Sequence, residues 1–277
     1  MMPFENKQLR FGKEGFRILQ YSERDPLSFK NPLCIIGMPG VGDVGKFAVD
    51  QLIGILNAEK YFEIICFDYP AGAIIDNSIL SAPKAEILTY YDKKFDRDLI
   101  LITSDAQAMT PKGIYEISDL IADLLNLFGV KEIVSLSAIP TNKKTPENIL
   151  IYITSTEDFD IKKFIGCNLI MKGVIIGSNG LIPSIAKARF GIKGKVFLAE
   201  ISNKNLDSEN ITDLKSSVIL LDRIAKIYNL PIEPIFTKDK VSELSRDLEE
   251  KRKKLEAELE FLEENEGFIE QEKTIYI

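Results

Sequence analysis

Apolar runs of strand length alternate with helical stripes over most of the chain. PLCIIG (32–37), YFEIICF (61–67), DLILITS (98–104), KEIVSLSAI (131–139) and KVFLAEI (195–201) are apolar almost throughout. Runs without a polar face suit strands buried on both sides, as in a mainly parallel sheet covered by helices. ILIYITS (149–155) adds a further strand. Between these runs the period changes. Ile114, Ile117, Leu120, Ile121, Leu124 and Leu125 form an i, i+3, i+4, i+7 stripe over 113–128, with Gly129 placed to stop the helix. Leu214, Val218, Leu221, Ile224 and Ala225 repeat the stripe over 211–229. Alternation of this kind predicts an α/β protein built as a three-layer αβα sandwich.

The pattern changes again at LPIEPIF (230–236), where two prolines interrupt the helical period. Val241, Leu244, Leu248, Leu255 and Leu262 then fall at heptad a/d spacing, with Lys251 and Glu258 interrupting the d positions. So thin a seam cannot bury itself, and the helix is expected to pair with a neighbour or another subunit. These five residues are the candidate oligomerisation contacts. The chain is therefore expected to divide into an α/β domain over 1–236 and a helical arm with a tail over 237–277. A helix of about 25 residues extends roughly 38 Å, enough to carry the chain end far from the domain.

The formal net charge is −7, and segment 243–273 alone holds 12 acidic and 6 basic residues. The excess charge therefore belongs to the arm, and no basic face is left for a nucleic acid. No run approaches the ~18 apolar residues of a membrane span, and the start MMPFENKQLR has no signal-peptide core. A cytoplasmic protein is expected. The chain has no histidine, which excludes Ser-His-Asp and Cys-His nucleophile systems and any His-ligated metal. Cys34, Cys66 and Cys167 lie in or near apolar runs and read as buried thiols, since their spacing fits no zinc site.

The most prominent internal motif is IIGMPGVGDVGKFAVDQL, which follows a strand and opens a helix. Gly40-Val41-Gly42-Asp43-Val44-Gly45 matches G-x-G-x-x-G, and Asp68 follows the next strand where a ribose-binding acid would sit. Two residues oppose a nucleotide. Asp43 puts a negative charge where a pyrophosphate would lie, and Phe47 replaces the hydroxyl that a P-loop needs for Mg²⁺. The alternative is that the glycines permit a tight strand–helix turn and close packing. Asp68, Asp76 and Asp105 follow apolar runs, where a carboxylate set would serve acid–base chemistry or hold Mg²⁺. Carboxylates that cap helices and hold turns are the commoner case.

The order of motifs adds a resemblance. Gly37-Met38-Pro39-Gly40-Val41-Gly42, Asp68-Tyr69-Pro70-Ala71-Gly72, Asp105-Ala106-Gln107 and Gly177-Ser178-Asn179-Gly180-Leu181 together resemble the PAC2 family, the proteasome assembly chaperones and their archaeal homologues. The likeness runs over roughly residues 30–230. It implies a sandwich akin to the nucleoside-phosphorylase fold, no established catalysis and no cofactor, with the glycine loop as a structural feature.

The chain ends Ile275-Tyr276-Ile277, which resembles the hydrophobic–tyrosine–any-residue termini of proteasome activators. The resemblance supplies the partner: the α-ring of the 20S proteasome, whose inter-subunit pockets accept such tails. These three residues are the candidate partner-binding set, and no catalytic or metal residues are assigned. A homo-oligomer is expected, alone or with a second PAC2-like chain. Two other readings remain open at this point. One is an enzyme that binds a nucleotide at Gly40–Gly45; the other is an oligomeric scaffold whose tails bind within its own ring.

Overall fold

The computed structural model describes residues 14–76, 78–91, 97–141, 149–202 and 213–232. Its contacts divide the chain into two units, Met1–Pro234 and Ile235–Ile277. The heptad residues Val241, Leu244, Leu248, Leu255 and Leu262 and the tail Ile275-Tyr276-Ile277 lie outside the described residues.

The expected strands are present as β2 (Leu33–Gly37), β3 (Glu59–Cys66), β7 (Leu99–Ser104), β8 (Glu132–Thr141), β9 (Ile151–Ser155) and β11 (Lys193–Ser202). They are joined in one sheet by β1 (Phe16–Gln20), β6 (Ala85–Tyr90) and β10 (Cys167–Leu169), in the order β1-β3-β6-β7-β2-β8-β11-β9-β10. The parallel part is the centre, where β7, β2, β8 and β11 run the same way. Here β2 and β7 are buried at every position, as the apolar runs that make up most of each require, with Thr103 and Ser104 the polar end of β7. On one side β6, β3 and β1 follow antiparallel; on the other β9 returns antiparallel and β10 lies parallel to it. A separate hairpin is made by β4 (Ile74–Asp76) and β5 (Ile79–Ser81).

Four helices complete the layers: α1 (Val44–Leu56), α2 (Pro111–Leu127), α3 (Ser178–Phe190) and α4 (Leu214–Tyr228). α1 packs with α4 and α2 with α3, giving the three-layer αβα arrangement. The stripe on α2 buries Ile117, Leu120, Ile121, Leu124 and Leu125 against Cys34, Ile36, Ile100, Ile102 and Ile133 of the sheet. The helix ends as its sequence requires, with Gly129 at φ +72 and the Val130 N–H returning to the Leu125 carbonyl. Phe29, Tyr61, Phe62 and Phe128 form a ring cluster in the same core, with centroids 4.7 Å apart for Tyr61 and Phe62 and 5.2 Å for Phe29 and Phe128. Cys34 and Cys66 are buried free thiols; Cys167 is free and half-buried. Among the described residues no helix is long and apolar enough to cross a membrane.

At the starting end of the parallel strands, Glu132 ties three elements together. Its carboxylate meets Lys195 of β11 at 2.7 Å, Arg97 at 3.3 Å and the Tyr228 hydroxyl of α4 at 3.2 Å. Burial pushes this carboxyl up, but the Lys195 hydrogen bond and charge, with Arg97 and Tyr228, outweigh it and hold the group below its ordinary 4.5. A depressed carboxyl stabilises the fold above its unfolded value, and the gain is lost as pH falls through the folded value. Lys195→Met is therefore expected to cost about 1–2 kcal/mol near neutral pH. The difference from wild type should vanish as pH falls well below 4.5, which urea titrations along the pH axis would show. A penalty independent of pH would contradict this assignment.

Candidate functional site

The sequence motifs meet in the loops that follow β2, β3 and β7 and at the start of α3. After β2 the chain turns directly into α1, and the turn is made of backbone packed on backbone. A Cβ on Gly37 would lie 2.6 Å from the Gly45 carbonyl carbon and 2.7 Å from Val49 Cγ2. One on Gly45 would lie 2.5 Å from the carbonyl carbon of Leu136 on β8. The two glycines thus let α1 begin in contact with two strands.

The rest of this loop is closed by its own acid. Gly42 and Asp43 both take left-handed conformations, at φ 60 and 46. Asp43 Oδ1 accepts the Gly40 N–H at 3.1 Å, and the Asp43 N–H donates to the Gly40 carbonyl at 2.9 Å. A phosphate-binding loop presents its N–H groups to the ligand. Here a carboxylate already takes one of them, and an approaching phosphate would meet negative charge.

Asn179, at the second position of α3, reaches across to the same loop. Its Oδ1 accepts the Met38 N–H and its Nδ2 donates to the Met38 carbonyl, both at 3.0 Å, in a buried setting. Gln107, in the loop after β7, donates Nε2 to the Pro39 carbonyl, while its Oε1 accepts the Ser178 N–H at 3.4 Å. Gly177 has φ +94, and a Cβ there would sit 2.6 Å from Gln107 Oε1. Two side-chain amides therefore bind three loops into one rigid edge. Asn179→Ala would leave both polar groups of Met38 unpaired in the interior. The expected cost is about 2–4 kcal/mol, read as a lower denaturant midpoint at unchanged slope. A change below about 0.5 kcal/mol would show that the pairing is dispensable.

The carboxylates have similar work. Asp68 Oδ2 accepts the Thr110 N–H at 2.8 Å and its hydroxyl at 2.9 Å, while Thr110 Oγ1 accepts the Gly113 N–H at 3.0 Å. This relay starts α2, with Pro111 in its first turn. Tyr69 shares a 2.9 Å hydrogen bond with Ser104 at the end of β7, and burial pushes its phenol well up. Asp105 Oδ2 accepts the Lys84 N–H at 3.1 Å. Asp68 and Asp105 thus hold loops, and Asp76 lies in β4. Among the described residues no group of three or more acids or cysteines is placed to hold a metal ion. The sequence motifs contain Gly37, Asp68, Gln107 and Asn179, and Asp68, a ribose-binding or acid–base candidate by position, instead anchors Thr110. The pairing of Met38 with Asn179 spans 141 positions and had no local signal.

These features define a class: an α/β sandwich whose strand-end loops are cross-linked by side chains directed at backbone. The chain belongs to the PAC2 family, whose model matches residues 34–262. An uncharacterized protein of Methanocaldococcus jannaschii is 24% identical over 220 residues, covering 78% of this chain and 81% of that one. Among solved structures, PbaB of Pyrococcus furiosus, described as an archaeal proteasome activator, is 26% identical with TM-score 0.73. That match covers 88% of this chain and 100% of PbaB. PbaA of the same organism, described as an archaeal homologue of proteasome-assembly chaperone, shares the fold at 17% identity and TM-score 0.62, over 87% of this chain and 96% of its own.

Proposed function

We propose that this chain is an ATP-independent proteasome-binding protein that docks its C-terminal Ile275-Tyr276-Ile277 into the α-ring of the 20S particle. It acts as an assembly chaperone, a gate-opening activator, or both, and performs no catalysis. One observation carries the reading: a PAC2 chain that is 26% identical to PbaB, and covers 100% of its solved chain, itself carries a hydrophobic–tyrosine–any-residue triplet at Ile275-Tyr276-Ile277. The chemistry of the triplet suits docking. The terminal carboxylate offers a charge for a lysine in a partner pocket. Tyr276 supplies a large amphipathic ring with little entropy to lose, and Ile275 adds apolar burial.

A single tail binds weakly, because ordering it offsets much of the contact energy. Several tails on one oligomer gain by effective concentration, and the heptad residues Val241 to Leu262 fit a helix built for association. The nucleotide-enzyme reading is disfavoured by Asp43, whose carboxylate occupies the loop where the phosphate would lie. The test is co-sedimentation with 20S particles of the full chain and of a variant lacking Ile275–Ile277. Loss of binding by the truncated chain, with its melting temperature unchanged, is the expected result. Equal binding by both forms would overturn the reading.

A further inference from the structure

The strands β9 and β10 are parallel neighbours at one edge of the sheet. Since β9 runs antiparallel to β11, their carboxyl ends lie at the other end of the sheet from the motif loops. A cavity of about 690 Å³ opens there, lined by the end of β9, the chain that follows it and the end of β10. A crevice outside the carboxyl ends of parallel strands is a common place for a ligand in an α/β sheet, and the volume is that of a small-molecule site.

Most of its polar lining is already engaged. Thr156 Oγ1 accepts the Gly194 N–H at 2.9 Å, and Ser155 Oγ donates to the Gly194 carbonyl at 3.0 Å. Glu157 meets Lys187 at 2.7 Å and Lys193 at 2.9 Å, and neither lysine lines the cavity. Hydrogen bonds from the two lysines hold the Glu157 carboxyl down at about 2, so it stays ionised and paired. Two lining groups remain. The Thr154 hydroxyl and the Asp158 carboxylate have no hydrogen-bond or ion-pair partner among the described residues. The rest of the wall is apolar, made by Phe159, Leu169 and Ile170. The Phe159 ring is set edge to face against Phe164, with centroids 5.3 Å apart. Ile170 is tied to β9, its N–H donating to the Ile153 carbonyl at 3.1 Å.

We propose that this cavity binds an alkylammonium, an organic cation on a short aliphatic chain, with its charge on Asp158 and Thr154 and its chain against Phe159, Leu169 and Ile170. The lining selects this class. It carries two carboxylates and no cationic side chain, which disfavours an anion. A neutral apolar ligand would take water from Asp158 and give nothing back. A hard metal ion takes about six oxygens or more, and one free carboxylate with one hydroxyl falls short of that. An ammonium pairs with the carboxylate, donates to the hydroxyl and is attracted by an aromatic ring. A lysine side chain of another protein and a free polyamine both offer this chemistry. The site lies within the α/β domain and owes nothing to the C-terminal triplet.

Isothermal titration calorimetry on the full chain tests this, with hexylammonium as the probe and hexanoate as its anionic counterpart. The expected result is saturable binding of hexylammonium in the millimolar range, since Asp158 is exposed and its ion pair is screened by water. Hexanoate should bind about tenfold more weakly. Asp158→Asn should lose about fivefold in affinity for hexylammonium. Asp158→Lys should abolish binding, and both variants should keep the wild-type melting temperature because the side chain holds nothing in the fold. Spermidine and N-acetyl-lysine methylamide serve as competitors. Displacement by either supports the proposal, and the stronger of the two tells a free polyamine from a protein side chain. No saturable binding of hexylammonium, equal binding of hexanoate, unchanged affinity in Asp158→Asn, or failure of both competitors would overturn it.

Discussion

Gly45→Val is expected to leave little folded protein, and Gly45→Ala to lose about 3 kcal/mol or more. The reason is the nature of what a side chain would meet. Overpacking against side chains costs about 1–3 kcal/mol because they shift. At Gly45 the obstacle is the backbone of Leu136 and Ser137 in β8, a central strand paired on both sides. Moving α1 away instead would open its contacts with β2 and α4 and uncover Val44, Ala48 and Leu52. Gly54 in the same helix is the internal control, since a Cβ there meets nothing within 4 Å. Gly54→Ala should stabilise by about 0.5–1 kcal/mol through helix propensity alone. Urea midpoints and soluble yield for the two alanine variants decide the matter. Equal stabilities would mean that α1 does not need its close approach to the sheet, and the packing account of the glycine loop would fail.

This pair also shows what could be read without a structure. The central strands were legible because β2 and β7 are apolar on both faces, and α2 and α4 because their stripes are regular. Strand direction was not legible: the apolar run within β3 resembles those of the parallel strands, yet β3 runs antiparallel to both β1 and β6. β1 alternates buried and exposed positions at the sheet edge, and β10 is three residues long, so neither left a run to detect. α3 has no regular stripe because Ser178, Asn179, Pro183 and Ala186 share its buried face with Ile182, and Pro183 is pressed against Gly194 of β11.

Tyr276→Ala is the second large effect expected, a loss of at least tenfold in affinity for the 20S particle with no change in fold. Truncating a buried aromatic anchor at an interface typically costs about 2 kcal/mol or more, or roughly 30-fold. With several tails engaged at once, the loss per tail compounds. Replacement by Phe keeps the ring and should retain most binding, since the apolar area survives and only the hydroxyl is removed. Indistinguishable binding by Tyr276→Ala and wild type would place the contact elsewhere on the chain.

The most direct measurement is fluorogenic peptide hydrolysis by a matching 20S core, with the full chain and with a form lacking Ile275–Ile277. Stimulation by the full chain that falls to the level of the core alone on truncation is the predicted result. Stimulation that persists without the three residues would contradict tail docking, and no stimulation by either form would remove gate opening from the function.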